Sequence, residues 1–323
     1  MIFLWKDWIA LDIAYLLFLQ DFRIAIGDAL TPLMSWLSHF AVRELLFVPV
    51  FIYWCMDKKA GLRVIFATRL CVGINAVIKL CACVYRPWIR DPRIVPANNA
   101  IQSAGGYSFP SGHTTTATPL YGGLASWQWN RHRALSWLCV VMLLLTGFSR
   151  NYLGVHTPQD VLVGLLLGVC CLWTVTRLSA YFEANPGKED LYLVWGFVLS
   201  VLALVYVNYK SYPLDYVDGR LLVDPQKMLN DAYGDIGGLI AFFAARFVEK
   251  HWIRFRAPGT SAKAVTVCLL GLVPLLFIVN NLKSPMVAQF GPHWGNLIAK
   301  SIRDAYIVAG FPAVLALIFG RED

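Results

Sequence analysis

An all-α, polytopic membrane helical bundle is the fold class this sequence predicts, on three observations. First, 58% of the 323 residues are hydrophobic and only 15% are charged, with a mean hydropathy of +0.56. That is more apolar surface than a soluble domain of ordinary composition buries. Second, apolar runs of about 20 residues recur, the length a helix needs to cross a hydrocarbon core of about 30 Å, and barrel-type alternation is absent. Third, Lys and Arg sit in short loops between those runs. The net charge of +8 is therefore dispersed, which argues against a nucleic-acid partner.

Taken in order, residues 1–41 mix Trp5, Trp8 and Trp36 with Lys6, Asp7, Asp12, Asp21, Arg23 and Asp28, a pattern of interfacial helices. No removed signal peptide is expected, because a basic n-region and a small-residue cleavage site are missing. Spans are expected near residues 42–57, 61–85, 111–129, 134–149 and 158–180, then near 190–208, 232–248, 264–281 and 296–319, about nine in all. Lys58, Lys59 and Arg63, then Arg131 and Arg133, then Lys250, Arg254, Arg256 and Lys263 mark cytoplasmic turns. The amino terminus then lies outside and the carboxyl terminus inside. Between the second and third spans, residues 88–110 hold Pro92, Pro96, Asn98, Asn99, Gly105 and Gly106, a long polar loop placed to act as a lid. The expected organisation is an interfacial segment (1–41), a catalytic transmembrane core (42–182) and additional carboxyl-terminal helices (183–323). The eight cysteines fall mostly inside apolar runs without metal-type spacing and read as small hydrophobes, Cys81-x-Cys83 being the pair to watch.

Three polar stretches stand out at span ends. Lys79 and Arg86 are seven residues apart, close to two helical turns, so they share a face before Pro87 stops the helix. Ser111, Gly112 and His113 open the third span, and Arg150, His156 and Asp160 lie where the fourth gives way to the fifth. In the expected layout all three are extracytoplasmic. Any one alone reads as a solvated loop; together they describe a receptor for a phosphate dianion. Lys79, Arg86 and Arg150 supply fixed positive charge, and an arginine fork binds two phosphate oxygens at once. Ser111 offers a hydroxyl, and Gly112 allows close approach to a helix N-terminus. No metal or other cofactor is needed for this electrostatic work.

Thr157-Pro158-Gln159-Asp160 reads as an N-cap, a proline in the first helical position and a carboxylate one turn in. Asp160 there accepts one imidazole N–H of His156 and leaves the other nitrogen to attack phosphorus. His113 is then the acid for the leaving oxygen and later the base for water.

Lys79-x6-Arg86-Pro87, Pro110-Ser111-Gly112-His113 and Ser149-Arg150-x5-His156-x3-Asp160 resemble the three signature motifs of the type 2 phosphatidic acid phosphatase (PAP2) superfamily. The resemblance covers residues of about 60 to 165. It implies a helical core, metal-independent hydrolysis through a phosphohistidine at His156, His113 as general acid, Asp160 as orienting carboxylate, and phosphate binding by Lys79, Arg86, Ser111, Gly112 and Arg150. A phosphorylated lipid is the expected substrate, taken at the outer face of a bacterial plasma membrane: phosphatidate, phosphatidylglycerophosphate or an isoprenyl diphosphate. Many bacterial members have six spans. The nine expected here resemble the glucose-6-phosphatase branch, so a soluble sugar phosphate is the alternative, as is phosphotransfer to a lipid acceptor. A noncatalytic transporter or scaffold would show degenerate motifs, and these are intact. Haloperoxidase-like chemistry shares the anion site but belongs to soluble folds. Outside the motifs, Asn75 reads as an interhelical hydrogen-bonding group, and His39, His132, His251 and His293 as structural or solvated. Lys300, Arg303 and Asp304 are candidates as ionisable groups inside a span.

Overall fold

The computed structural model describes residues 2–97, 100–217 and 219–322. Asn98 and Asn99 of the expected lid lie outside the described residues, as do the side chains of Trp5, Lys6, Asp7 and Trp8. The chain is almost wholly helical: α1 (Ile2–Ala25), α2 (Thr31–Val42), α3 (Phe47–Phe51), α4 (Lys58–Ala82), α5 (Pro87–Arg90), α6 (Gly112–Gln128), α7 (Arg133–Tyr152), α8 (Pro158–Ala184), α9 (Glu189–Tyr209), α10 (Pro225–Val248), α11 (Ala262–Asn281), α12 (Lys283–Ala305) and α13 (Phe311–Phe319). A short antiparallel ribbon, β1 (Tyr216–Val217) and β2 (Arg220–Leu221), precedes α10.

Among the described residues, seven helical stretches are long and apolar enough to cross a membrane. They match seven of the nine expected spans. The other two are helices at the expected places that fall short on length or apolarity. Helix α6 has 17 residues, and α10 carries Asp231, Asp235 and Arg246. The first spanning stretch also begins earlier than its composition indicates, at Thr31 rather than near residue 42, because α2 and α3 run on through a π turn to Met56.

The chain divides into two compact units, each taking part of α4 and α8. One comprises residues 1–44, 78–169 and 212–228. In it α6 packs along α7, and α2 lies against both. Met34 and Leu37 of α2 bury against Tyr152, Leu153 and Val155 at the end of α7, together with Ala97, Ala100 and Ala104. This apolar cluster fixes the turn that carries His156.

The second unit comprises residues 45–77, 170–211 and 229–323. Its core gathers Tyr53, Trp54, Phe242, Phe255, Phe311 and Leu315. A π turn at Tyr306–Gly310 lengthens the α12–α13 span. Ile307 and Val308 within it offer their carbonyls to Trp54 Nε1 at 2.8 Å and to the Tyr53 hydroxyl at 3.0 Å. The charges expected inside the last span are paired. Asp304 forms an ion pair with Arg69, whose Nε lies 3.1 Å away, and accepts Arg303 Nε at 2.9 Å, and Lys300 Nζ lies 2.5 Å from Asp235. Such pairing within the unit keeps these side chains from having to reach the interface.

Candidate active site

The turn between α7 and α8 is built by local rules. Helix α7 ends as the amide of Val155 donates to the carbonyl of Arg150 at 3.1 Å, and Gly154 adopts φ +71°, a left-handed conformation that suits glycine. Helix α8 then opens with a reciprocal cap. The Asp160 carboxylate accepts the Thr157 amide at 2.9 Å, and the Asp160 amide reaches Thr157 Oγ1 at 3.4 Å. Asn151 Nδ2 donates to the His156 carbonyl at 2.8 Å and closes the turn. His156 is thereby fixed with only 1% of its surface exposed.

Its ring is oriented from both sides. Arg86 Nη1 lies 2.9 Å from His156 Nε2, and His156 Nδ1 lies 3.2 Å from Asp160 Oδ2. A guanidinium has no acceptor, so Nε2 must be the accepting nitrogen and Nδ1 must carry the proton toward Asp160. Burial, and then the Arg86 charge, hold the His156 imidazole well below its ordinary pKa of 6.5. The neutral tautomer with its lone pair on Nε2 is the nucleophilic form.

The same carboxylate oxygen accepts Ser108 Oγ at 2.5 Å. Ser108 escaped the sequence reading although it lies three residues before Ser111, because serine in a polar loop has many uses. Ser111 caps α6, its Oγ accepting the Thr114 hydroxyl at 3.0 Å, which leaves its own proton for an anion. The Ser111 amide donates to the Asp160 carbonyl at 2.9 Å and docks the start of α6 on the first turn of α8. Gly112 follows, and a side-chain carbon placed there would meet nothing within 4 Å. An approaching anion thus finds the first amides of α6 unobstructed. His113, the next residue, lies within electrostatic reach of Arg150, His156, His39 and Arg86.

The three cations differ in what they already hold. Lys79 Nζ donates to the Pro110 carbonyl at 2.7 Å and to those of Tyr107 and Ser108 at 3.3 Å, so it shapes the loop that leads into Ser111. Arg86 donates through Nε to Gly106 O at 3.0 Å and through Nη2 to Gly105 O at 3.2 Å. Arg150 is different. It is fully buried, yet among the described residues its Nε and Nη2 have no partner and only Nη1 is bonded, to Ser38 Oγ at 2.6 Å. Two buried N–H groups of one guanidinium are costly unless something accepts them. Two oxygens of a phosphate are the matching acceptor.

Helix α2 is thus part of the site, which its composition does not reveal. It supplies Ser38 and also His39, whose ring packs edge-on against His113 with centroids 6.1 Å apart. His39, read from the sequence as structural or solvated, stands beside the motif histidine. Ser38→Ala removes the one hydrogen bond that Arg150 makes among the described residues. Hydrogen bonds to charged groups contribute about 1.5–3 kcal/mol, so the inhibition constant for vanadate should rise roughly tenfold or more. A change below twofold would remove Ser38 from the account.

The expected lid is better described as a wall. Gln20 and Arg23 of α1 bond to the backbone of Arg93 and Val95, the Ala97 amide donates to Leu153 O at 3.0 Å, and the Ser108 amide donates to Val84 O at 2.7 Å. Gly106 is in the left-handed region at φ +74°, and a side-chain carbon there would collide with the sulfur of Met228.

Comparison with known proteins agrees with the motifs. The sequence profile of the PAP2 superfamily matches residues 60–184. The chain is 30% identical over 158 residues to the bacitracin transport permease protein BcrC of Bacillus licheniformis, covering 46% of this chain and 74% of that one. It is 28% identical over 156 residues to the undecaprenyl-diphosphatase BcrC of Bacillus subtilis, covering 47% and 77%. To the phosphatidylglycerophosphatase B of Bacillus subtilis it is 32% identical over 99 residues, 28% of this chain and 48% of that protein. No solved structure matches the chain. With the profile lying across α4 to α8 and a relative this similar over most of its own length, the chain belongs to the PAP2 superfamily.

Proposed function

We propose that this chain is a metal-independent membrane phosphatase that hydrolyses lipid phosphates or diphosphates, an isoprenyl diphosphate foremost. The reading rests on one observation above others: the buried Arg150 guanidinium with two unpartnered N–H groups, in one compact unit with a neutral His156 whose Nε2 lone pair is free of its own carboxylate. Phosphate oxygens take the Arg150 donors and the first amides of α6, and an incoming phosphate oxygen takes over the Arg86 Nη1 donor that otherwise holds His156 Nε2, which frees that lone pair. His156 Nε2 attacks phosphorus while Nδ1–H stays on Asp160, and the bond to the leaving oxygen breaks as His113 protonates it. Water, deprotonated by His113, then cleaves the P–N bond and returns His156 to its neutral form. The lipid preference is supported by the membrane-spanning helices and by relatives named as undecaprenyl-diphosphatase and phosphatidylglycerophosphatase. With Lys and Arg in the opposite loops, the site opens on the extracytoplasmic side.

The test is inorganic phosphate released by the purified chain from isoprenyl diphosphate, phosphatidate, phosphatidylglycerophosphate and glucose 6-phosphate, each with EDTA present. Release from the lipids, unchanged by EDTA and competitively inhibited by vanadate, is the expected result. Fastest release from glucose 6-phosphate would transfer the protein to the soluble-substrate branch. Activity abolished by EDTA would end the metal-free mechanism.

A further inference from the structure

Away from the catalytic residues, the second unit contains a cavity of about 170 Å³ where four helix ends meet: the start of α4, the end of α8, the start of α9 and the end of α10. Its deeper wall is apolar, formed by Leu62, Phe66, Leu193 and Phe242. Its rim is charged, with Lys59, Arg63 and Arg246 against Glu183 and Glu189. An apolar floor under a basic rim, at the ends of membrane-spanning helices, has the layout of a lipid headgroup lying over its acyl chain.

The rim charges are not equivalent. Arg246 is saturated, giving Nε and Nη2 to Glu189 at 2.8 and 3.2 Å and Nη1 to Glu249. Lys59 approaches Glu183 at 3.5 Å with both side chains largely exposed, a contact that contributes little in water. Arg63 is the exception: its buried Nε has no hydrogen-bond partner, and among the described residues it enters no ion pair. Arg63 is thus the rim cation without a carboxylate of its own among the described residues, and it faces an acceptor deficit. A phosphodiester has one negative charge and oxygens suited to a guanidinium.

We propose that this cavity binds an anionic phospholipid, with the phosphodiester on Arg63 and Lys59 and the first part of an acyl chain over Leu62, Phe66 and Leu193. The site is separate from the hydrolytic residues, and its occupant is a bound lipid rather than a substrate. It does not depend on which phosphate ester the chain hydrolyses.

The experiment is native mass spectrometry of the delipidated protein with phosphatidylglycerol, phosphatidylethanolamine or phosphatidylcholine added, and in a separate arm with inorganic phosphate. The wild type is expected to retain phosphatidylglycerol over phosphatidylcholine, and Lys59→Gln with Arg63→Gln to lose that preference by roughly thirtyfold, taking about 1 kcal/mol for each of the two basic residues near the headgroup. Circular dichroism checks that the double variant remains helical; if it does not, the wild-type preference and its weakening by high salt decide alone. Equal retention of the lipids by the wild type overturns the proposal, as does an unaltered preference in a folded double variant. Preference for phosphatidylethanolamine overturns the anionic assignment. Displacement of phosphatidylglycerol by inorganic phosphate at equal concentration would assign the cavity to a free anion instead.

Discussion

Replacing His156 by alanine is expected to lower turnover of a lipid diphosphate by roughly 10⁴-fold or more, the scale on which removal of a nucleophile acts when the rest of its site still binds. No other histidine can take its place, since Asp160 Oδ2 and Arg86 Nη1 bracket this ring alone, at 3.2 and 2.9 Å. Substrate should still bind, because Arg150 and the α6 amides are untouched, so the loss is expected in kcat rather than in KM. A decline of less than tenfold would mean that water attacks phosphorus directly. The intermediate itself is testable with an aryl phosphate, whose leaving group needs little protonation. His113→Gln should then form the phosphohistidine but hydrolyse it slowly, so that label from the substrate accumulates on the protein in an acid-labile, base-stable form.

The same geometry sets the acidic limb of the pH profile. A histidine held well below pKa 6.5 by burial and by Arg86 is neutral at neutral pH and is lost as a nucleophile only when the pH falls through its depressed value. His156 should therefore contribute an acidic limb to kcat/KM that lies below pH 6.5, set against the basic limb imposed by the protonated His113 that the leaving oxygen requires. Replacing Arg86 by glutamine removes a cause of the depression, so the limb should move to higher pH even as activity drops. A limb that stays in place would mean that another group governs it.

The membrane class is legible because the apolar runs have the period and length of spanning helices, and the exceptions have physical reasons. Helix α10 tolerates charge because Asp235 pairs with Lys300 and Arg246 with Glu189 and Glu249, and its glycines let neighbouring side chains approach closely. A carbon on Gly238 would meet the Asp304 carboxylate, and one on Gly234 would meet the Lys300 side chain. Helix α2 resembles an interfacial segment in sequence because one face is exposed at Leu33 and Trp36 while Met34, Leu37, Ser38 and Ala41 are buried. Two of the polar motifs are legible from local rules, an N-cap before glycine and a cap box four residues past a histidine. The expected shared helix face of Lys79 and Arg86 is not what forms, because α4 ends at Ala82, Cys83 turns to φ +48° and Arg86 lies beyond the helix as the extended N-cap of α5. The contact between Ser38 and Arg150 joins residues 112 apart. No periodicity encodes it; it exists because α2 packs on α7.

Asp160→Ala and Asp160→Asn should differ sharply, and the reason lies in how the carboxylate is held. Oδ2 accepts three donors: His156 Nδ1, Ser108 Oγ at 2.5 Å and the Thr157 amide at 2.9 Å. The amide cannot rotate away, so an asparagine must present its oxygen there and keep its NH₂ elsewhere. The His156 tautomer is then preserved, and what is lost is the charge that stabilises the positive character of the phosphorylated ring. The difference between a charge-assisted and a neutral hydrogen bond corresponds to a fall of roughly 10- to 100-fold. Alanine leaves the Thr157 amide without its acceptor, opens the cap and frees the imidazole to place its proton on Nε2. Turnover should fall by roughly 10⁴-fold, the scale of a misplaced tautomer, and stability by about 1–3 kcal/mol for the orphaned amide. Single-turnover rates and thermal midpoints of the two variants measure both effects. If asparagine proves as damaging as alanine, the amide has turned its NH₂ toward His156, and the backbone donor does not fix the tautomer as argued.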